Sequence, residues 1–303
     1  MEVAIMIEGQ NGLNWPRWQR IAQAVEGLGF AGLYRSDHFT NPAPPDLDSL
    51  ELWVSLTWLA SHTKRIEFGP LVTPFSFCHP VFTARMAKEV DNMSGGRLTL
   101  GVGAGWQERE HINFGFDLLD PPRRFDRFQE GVEVIIRLLR DDQPASFSGE
   151  FYRLHNAVLL PRPRQPGRPP ILIGGNGPRR TLPLAARYAD EWNAVLVPAT
   201  RFAELSSYLD KLLEENGRRP GDVRRSLMTG LVFGRNGVEV QRKVAERRST
   251  VAELREQGLI VGTPSEVVDQ LGRLAEVGVQ RVMLQWLELD DLDRLEALAR
   301  AVL

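Results

Sequence analysis

The stretch Ile171-Leu-Ile-Gly-Gly-Asn-Gly-Pro-Arg-Arg-Thr181 carries residue types suited to holding an anion. An apolar run of strand length, Ile171 to Ile173, meets three glycines in four residues. Pro178, Arg179, Arg180 and Thr181 then lead into an apolar-periodic segment, Leu182 to Ala189. A strand, a glycine turn and a helix start let backbone N–H groups approach a phosphate, and the helix N-terminus adds partial positive charge. Two arginines at the mouth complete the seat. The same glycines also suit an ordinary turn that needs positive φ.

Elsewhere the chemistry is sparser. Only four lysines occur, at 64, 88, 211 and 243. No HxH or HExxH spacing offers a metal set. Ser36 lacks the Gly-x-Ser-x-Gly context of a hydrolase nucleophile. Net charge is −2, which gives no basic field for nucleic acid. Cys78 is the single cysteine, expected to be inert, and no intrachain disulfide can form. No apolar run reaches the length of a membrane span, and Met1 to Ile5 lacks the basic start of a signal peptide. A cytoplasmic protein without membrane or nucleic-acid partners is expected.

Strand-length runs fall at Val3–Ile7, Ala31–Tyr34, Ile66–Val72, Arg97–Val102, Ile171–Ile173, Glu191–Val197, Ser226–Phe233 and Arg281–Trp286. Helical periodicity follows each: Trp15–Leu28, a helix capped by Ser49 and ending at His62, Pro80–Met93, Arg124–Arg140, Leu182–Ala189, Phe202–Asn216, Val238–Gln257 with a further helix to Val277, and Leu292–Val302. Eight such units predict one domain over 1–303, a closed (β/α)8 barrel. An insertion at about 144–168 precedes strand five, with a small hairpin around Ser148-Gly149. A doubly wound open sheet is the rival fold, but Gly9-Gln-Asn-Gly12 fits its fingerprint poorly.

A barrel places its site at the C-terminal strand ends. Those ends carry Glu8, Asp37, His38, Thr73, Gly103, Gly105, Trp106, Gly174 to Gly177, Trp192, Asn193 and Gln285. No lysine is among them, which argues against Schiff-base chemistry. One histidine, aromatics, glycines and a phosphate seat suit a bound planar cofactor. Glu108, Glu110 and His111 read as a solvated loop, Arg162, Arg164 and Arg168 as exposed charge, and the pairs Trp15/Trp18 and Trp53/Trp58 as core or subunit contact.

Ser36-Asp-His-Phe39, Thr73-Pro74, Ser94-Gly-Gly-Arg97, Leu100-Gly-Val-Gly-Ala-Gly-Trp106, Arg124-Phe-Asp126, Pro170-Ile-Leu-Ile-Gly-Gly175, Ala189-Asp190, Gly262-Thr-Pro264 and Val282-Met-Leu-Gln285 together resemble the bacterial luciferase-like superfamily, closest to its coenzyme F420-dependent branch. The resemblance runs over nearly the whole chain. It implies a TIM barrel with an insertion, a homodimer, and an oxidoreductase moving a hydride between a deazaflavin and a small organic substrate. His38 would sit beside the cofactor ring, with Trp106 on the substrate side. Val72, Thr73, Gly103 and Gly105 would contact ring or chain. Gly174, Gly175, Asn176 and Gly177 would cradle the phosphate, near Arg180 and Thr181. A non-prolyl cis peptide is expected at Pro70–Leu71 or close to it. The branch's sugar-phosphate dehydrogenases carry a glutamate where this chain has Trp106, which favours a more apolar substrate. The alternatives are an FMN-dependent monooxygenase of the same superfamily and a non-catalytic flavin-binding barrel.

Overall fold

The structure, a computed structural model, describes residues 1–163 and 169–303. Arg164 and Arg168 lie outside the described residues. The first half contains β1 (Glu2–Ile7), α1 (Trp15–Leu28), β2 (Gly32–Arg35), α2 (Leu52–His62), β3 (Glu67–Pro70), β4 (Thr73–Pro74), α3 (Pro80–Ser94), β5 (Leu100–Gly103), α4 (Glu108–Phe114) and α5 (Pro121–Arg140). A hairpin of β6 (Ala145–Ser148) and β7 (Arg153–Ala157) forms the insertion. Then come β8 (Ile171–Gly174), α6 (Thr181–Tyr188), β9 (Glu191–Val195), α7 (Ala199–Glu215), β10 (Arg224–Phe233), α8 (Gly237–Glu246), α9 (Val251–Glu256), β11 (Ile260–Gly262), α10 (Pro264–Glu276), β12 (Arg281–Gln285) and α11 (Leu292–Val302).

The large sheet is parallel, in the order β3-β2-β1-β12-β10-β9-β8-β5-β4, and β11 pairs with the end of β10. A bridge between Phe68 and Leu98 brings β3 back to the approach of β5. A nearly closed barrel results, as the eight strand-length runs predict. Closure depends on backbone contact: a Cβ on Gly69 would lie 1.9 Å from the Thr99 carbonyl oxygen. Only glycine permits β3 and β5 to meet there.

Both faces of the strands are buried, which explains their unbroken apolar runs. On β1, Val3, Ile5 and Ile7 join the large cluster between sheet and helices. Ala4 and Met6 point inward with Tyr34, Leu71, Leu172 and Met283. Strand period two thus separates a helix-packing layer from a barrel filling.

Four boundaries differ from expectation. The third strand is two pieces, β3 and β4, and the Leu71–Val72 peptide between them is cis, one bond beyond Pro70–Leu71. Ser49 does not cap α2, because its hydroxyl donates to the His38 carbonyl; Glu51 caps the helix through the Val54 N–H. The expected Val238–Gln257 helix is two helices, since Thr250 and Glu253 form a capping box that starts α9. The short strand β11 follows. Glu108 to Phe114 is a helix and not a solvated loop. The tryptophan expectation divides: Trp18 and Trp53 are core, while Trp15 and Trp58 meet edge to face and are half-buried. Arg162 is half-buried, with its guanidinium donating to the Asp142 carbonyl. No helix among the described residues is long and apolar enough to cross a membrane.

Candidate active site

A cavity of about 620 Å³ opens at the C-terminal ends of the strands, within the range of roughly 300–1,000 Å³ usual for ligand sites. Met6, Leu71, Val72 and Met228 line its apolar side, and Glu8, His38, Asn193 and Gln285 are among its polar groups. Gly103, Gly105, Trp106, Gly174 and Gly175 also border it. Of the predicted residues, Asp37, Thr73, Asn176, Gly177, Arg180, Thr181 and Trp192 do not. Thr73 is fully buried against Asp37, 3.4 Å from its Oδ2. Trp192 points outward, donating to the Gly175 carbonyl and stacking on Phe202.

His38 follows β2 and its imidazole Nδ1 lies 2.9 Å from Glu110 Oε1. The Phe39 N–H donates to the other oxygen of the same carboxylate. Glu110 is only 1 % exposed, so the dyad sits in a medium where a charged hydrogen bond is strong. Glu108 is exposed as expected, but Glu110 and His111 are buried together with Gln107 and are not solvated. Burial pulls the His38 imidazole down, but the Glu110 hydrogen bond and the charges of Glu110, Glu8 and Asp37 outweigh it and leave the group above its ordinary value. Trp106 meets His38 edge to face, at 5.6 Å between ring centroids. It is 60 % exposed, so it borders the mouth and is not a packing residue.

The turn after β8 has a different character. Gly175 adopts φ +126°, and its N–H donates to the Asn193 carbonyl. The Asn176 side chain makes two bonds to the Val195 backbone. No side chain caps α6. The backbone N–H groups of Asn176, Gly177, Arg179 and Arg180 have no acceptor among the described residues. Arg180 is turned away toward α5, donating to the Pro122 carbonyl, pairing with Asp126 and lying over Phe125. An anion at this turn would thus meet backbone donors first.

Two further features support a bound ring. The Asn193 amide donates to Ser226 Oγ, while its buried Oδ1 has no partner among the described residues. Glu8 accepts from the Gln285 and Gln10 amides. A planar group with N–H and C=O edges fits such a wall. Among the described residues no cluster of His, Cys, Asp or Glu is arranged to hold a metal. Cys78 lies 3.7 Å from Asp37, and burial beside that carboxyl pushes its thiol up, in accord with the inert role expected for it.

A parallel α/β barrel with an apolar cavity, a histidine–carboxylate dyad and an uncapped helix at its strand ends is the frame of a cofactor-dependent enzyme. The model of the luciferase-like monooxygenase family matches residues 1–254, and the chain belongs to that family of flavin- or F420-dependent oxidoreductases. The F420-dependent glucose-6-phosphate dehydrogenase of Nakamurella multipartita is 30% identical over 287 residues, 90% of this chain and 79% of that protein. The 4-hydroxyprotoasukamycin monooxygenase of Streptomyces nodosus subsp. asukaensis is 31% identical over 183 residues, 60% of this chain but only 47% of that protein. In fold, the chain is similar to an F420-dependent secondary alcohol dehydrogenase, with a TM-score of 0.85 at 19% identity, covering 100% of this chain and 99% of the other.

Proposed function

We propose that the protein is a coenzyme F420-dependent oxidoreductase that interconverts a hydroxyl and a carbonyl, or a comparable pair, on a small and fairly apolar substrate. The observation that carries this reading is the His38–Glu110 dyad at the wall of an apolar cavity. When bound, the deazaflavin supplies a carbon that accepts or donates a hydride. The chain's residues supply the rest. Met6, Leu71 and Val72 exclude water from one face of the cavity. Asn193 Oδ1 and the backbone N–H groups of Asn176, Gly177, Arg179 and Arg180 would hold the ring edge and the phosphate.

His38 would move the proton. With Nδ1 bound to Glu110, Nε2 is the nitrogen left to take the proton of a substrate hydroxyl or return it to a carbonyl oxygen. Glu110 positions the imidazole and stabilises its charged form. Trp106, in the place of an acid, gives the mouth an apolar edge, in keeping with an apolar substrate. The long alignment to the glucose-6-phosphate dehydrogenase favours F420. The monooxygenase relative supports the second reading, an FMN-dependent monooxygenase. The reading includes a cytoplasmic homodimer, which sedimentation would test.

Titration of both cofactors into the apoprotein tests the reading. F420 is expected to bind in the micromolar range, with FMN at least tenfold weaker, and reduced F420 is expected to be oxidised by some member of a panel of ketones, enones and quinones. Micromolar FMN binding without F420 binding overturns the order of the two. Tight F420 binding without turnover on any acceptor favours the non-catalytic barrel. Gly177→Val should weaken cofactor binding at least tenfold, because its Cβ would already lie 2.9 Å from Thr181 Oγ1 and must displace the turn.

A further inference from the structure

A second cavity, of about 430 Å³, shares one residue with the first: His38 is the wall between them. The candidate mechanism does not use it. Phe39, Phe77, Phe82, Phe116, Trp53 and Met86 give it an aromatic and thioether lining. Three of these rings are mutually packed, with centroids 5.2 Å apart for Phe39–Phe77, 5.3 Å for Phe77–Phe116 and 5.7 Å for Phe39–Phe116.

The wall also carries two carboxylates. Asp37 and Glu51 both line it. Asp37 has only long contacts, to Thr73 Oγ1 at 3.4 Å and Cys78 Sγ at 3.7 Å, and no cation within ion-pair distance among the described residues. The nearby Arg35 guanidinium is turned away to the Leu50, Ser36 and Glu51 carbonyls and to Ser55 Oγ. Apart from the shared His38, His79 is the one basic side chain on the wall among the described residues. Burial holds it below its ordinary value, so it adds no charge at neutral pH. The Cys78 thiol on the same wall reports the sign of the field: after burial, the carboxyls of Asp37, Glu51 and Glu110 are what push it up. The aromatic faces and the Asp37 carboxylate, with Glu51 capping α2 and the Arg35 charge opposing from behind, make the wall attractive to positive charge.

We infer that this side cavity is a binding site for an organic cation, an alkylated ammonium bearing a small apolar group. The ammonium lies against Asp37 and Glu51, and its alkyl groups rest on the phenylalanine faces. A neutral molecule of the same shape gains the apolar contact but leaves Asp37 unpaired. The inference does not depend on which cofactor fills the first cavity.

The test uses benzyltrimethylammonium and its neutral isostere neopentylbenzene, followed by NMR of the whole chain labelled at the methionine methyl groups. Met86 lines the side cavity, whereas Met6 and Met228 line the first. The cation is expected to shift Met86 at submillimolar concentration and leave Met6 and Met228 in place, with the isostere at least tenfold weaker. Asp37→Asn should weaken the cation at least tenfold and leave the isostere unchanged. Phe82→Ala, at an exposed position that keeps folding safe, should weaken both. Equal affinity for the two probes, insensitivity to Asp37→Asn, shifts at Met6 and Met228 alone, or no shift up to millimolar cation would each overturn the inference.

Discussion

The two mouths of the barrel bury charge in opposite ways. At the N-terminal mouth, Arg281 is 1 % exposed and surrounded by partners. It donates to Glu2, to Glu67 at 2.5 Å, to Glu191 at 3.3 Å and to the Tyr34 hydroxyl at 2.6 Å. Arg224 closes the group, 3.5 Å from Glu67 and 3.6 Å from Glu2. Every ion there has an opposite partner. At the C-terminal mouth the pairing is incomplete. Arg35 is held by carbonyls, Asp37 has no cation among the described residues, and Glu8 has only amides, while His38 and Glu110 pair with each other. Burying an ion without its partner costs several kcal/mol. That cost is avoided at the closed mouth and accepted where two cavities open. Unfinished electrostatics at one end of an otherwise well-matched fold mark the end where ligands complete them.

Breaking the closed mouth should give the largest effect, and only on stability. Arg281→Met leaves the buried Glu191 with only the more distant Arg224, 4.0 Å away, as a cation, and breaking a buried pair costs about 3–5 kcal/mol. Urea unfolding should show that loss, while turnover per folded molecule stays within about twofold. A large loss of turnover without loss of stability would erase the distinction between the mouths.

The open mouth should respond the other way. His38→Gln is expected to lower turnover by about 10² or more, with cofactor affinity changed by less than threefold and a smaller loss of stability than Arg281→Met, because the glutamine amide still offers Glu110 a donor but no charge. Glu110→Gln is the subtler probe. It removes a charged hydrogen bond worth about 1.5–3 kcal/mol, so turnover should fall about tenfold or more, and the pH profile should move. The folded-state value of His38 lies above its ordinary 6.5. The pair's stabilisation is therefore complete below pH 6.5 and is lost as pH rises through the raised value. In Glu110→Gln the histidine limb of the pH profile should move toward lower pH. A profile that stays in place would make Glu110 a purely structural residue.

Much of this contrast is legible in the sequence, and the part that is not has a physical reason. The strands are readable because both faces of each are buried, and their ends name His38, Asn193 and Gln285. Glu110 is hidden by its charge, since an acidic stretch after a glycine turn reads as solvated. Its spacing carries the missing signal: Gln107, Glu110 and His111 recur at i, i+3 and i+4 on the buried side, and Gly115 ends the helix in the left-handed region. The pattern is amphipathic with polar residues on the buried face, and hydrophobicity alone passes over it. The partner of Glu110 lies 72 residues earlier, a separation only the barrel brings together. The seat after β8 is legible in its glycines, but whether Arg180 points inward depends on α5, which strand-to-helix spacing does not position.

Asp37 gives a smaller effect of unusual sign. Burial pushes its carboxyl up to about 6 from 3.8, with Arg35 opposing. A raised acid binds its proton more tightly in the fold, so stability falls as pH rises between 3.8 and about 6 and stays lower above that. Asp37→Asn removes this dependence. At about pH 8 the variant should be about 1–2 kcal/mol more stable than the parent, and at about pH 3.5 equal to it, after allowance for the partial exposure of the group. Thermal unfolding across that range checks it. Equal pH dependence in both proteins would mean that the carboxyl is solvated and the open mouth less strained than its missing ion pairs imply.

The smallest expected effect concerns Arg180. A phosphate seat built from side chains would lose about ten- to a hundredfold in affinity on Arg180→Ala, as a charged hydrogen bond worth about 1.5–3 kcal/mol disappeared. In the fold, that guanidinium reaches away to the Pro122 carbonyl and Asp126, and the ion pair is half exposed on both sides. Exposed pairs are worth about 0–1 kcal/mol. Arg180→Ala should therefore change the cofactor dissociation constant by less than about threefold and stability by less than about 1 kcal/mol. The donors that remain are backbone N–H groups at the start of α6, which no side-chain truncation removes. A tenfold loss or more would show that Arg180 swings to the ligand when it binds, and the seat would then rest on a mobile cation as well as on the main chain.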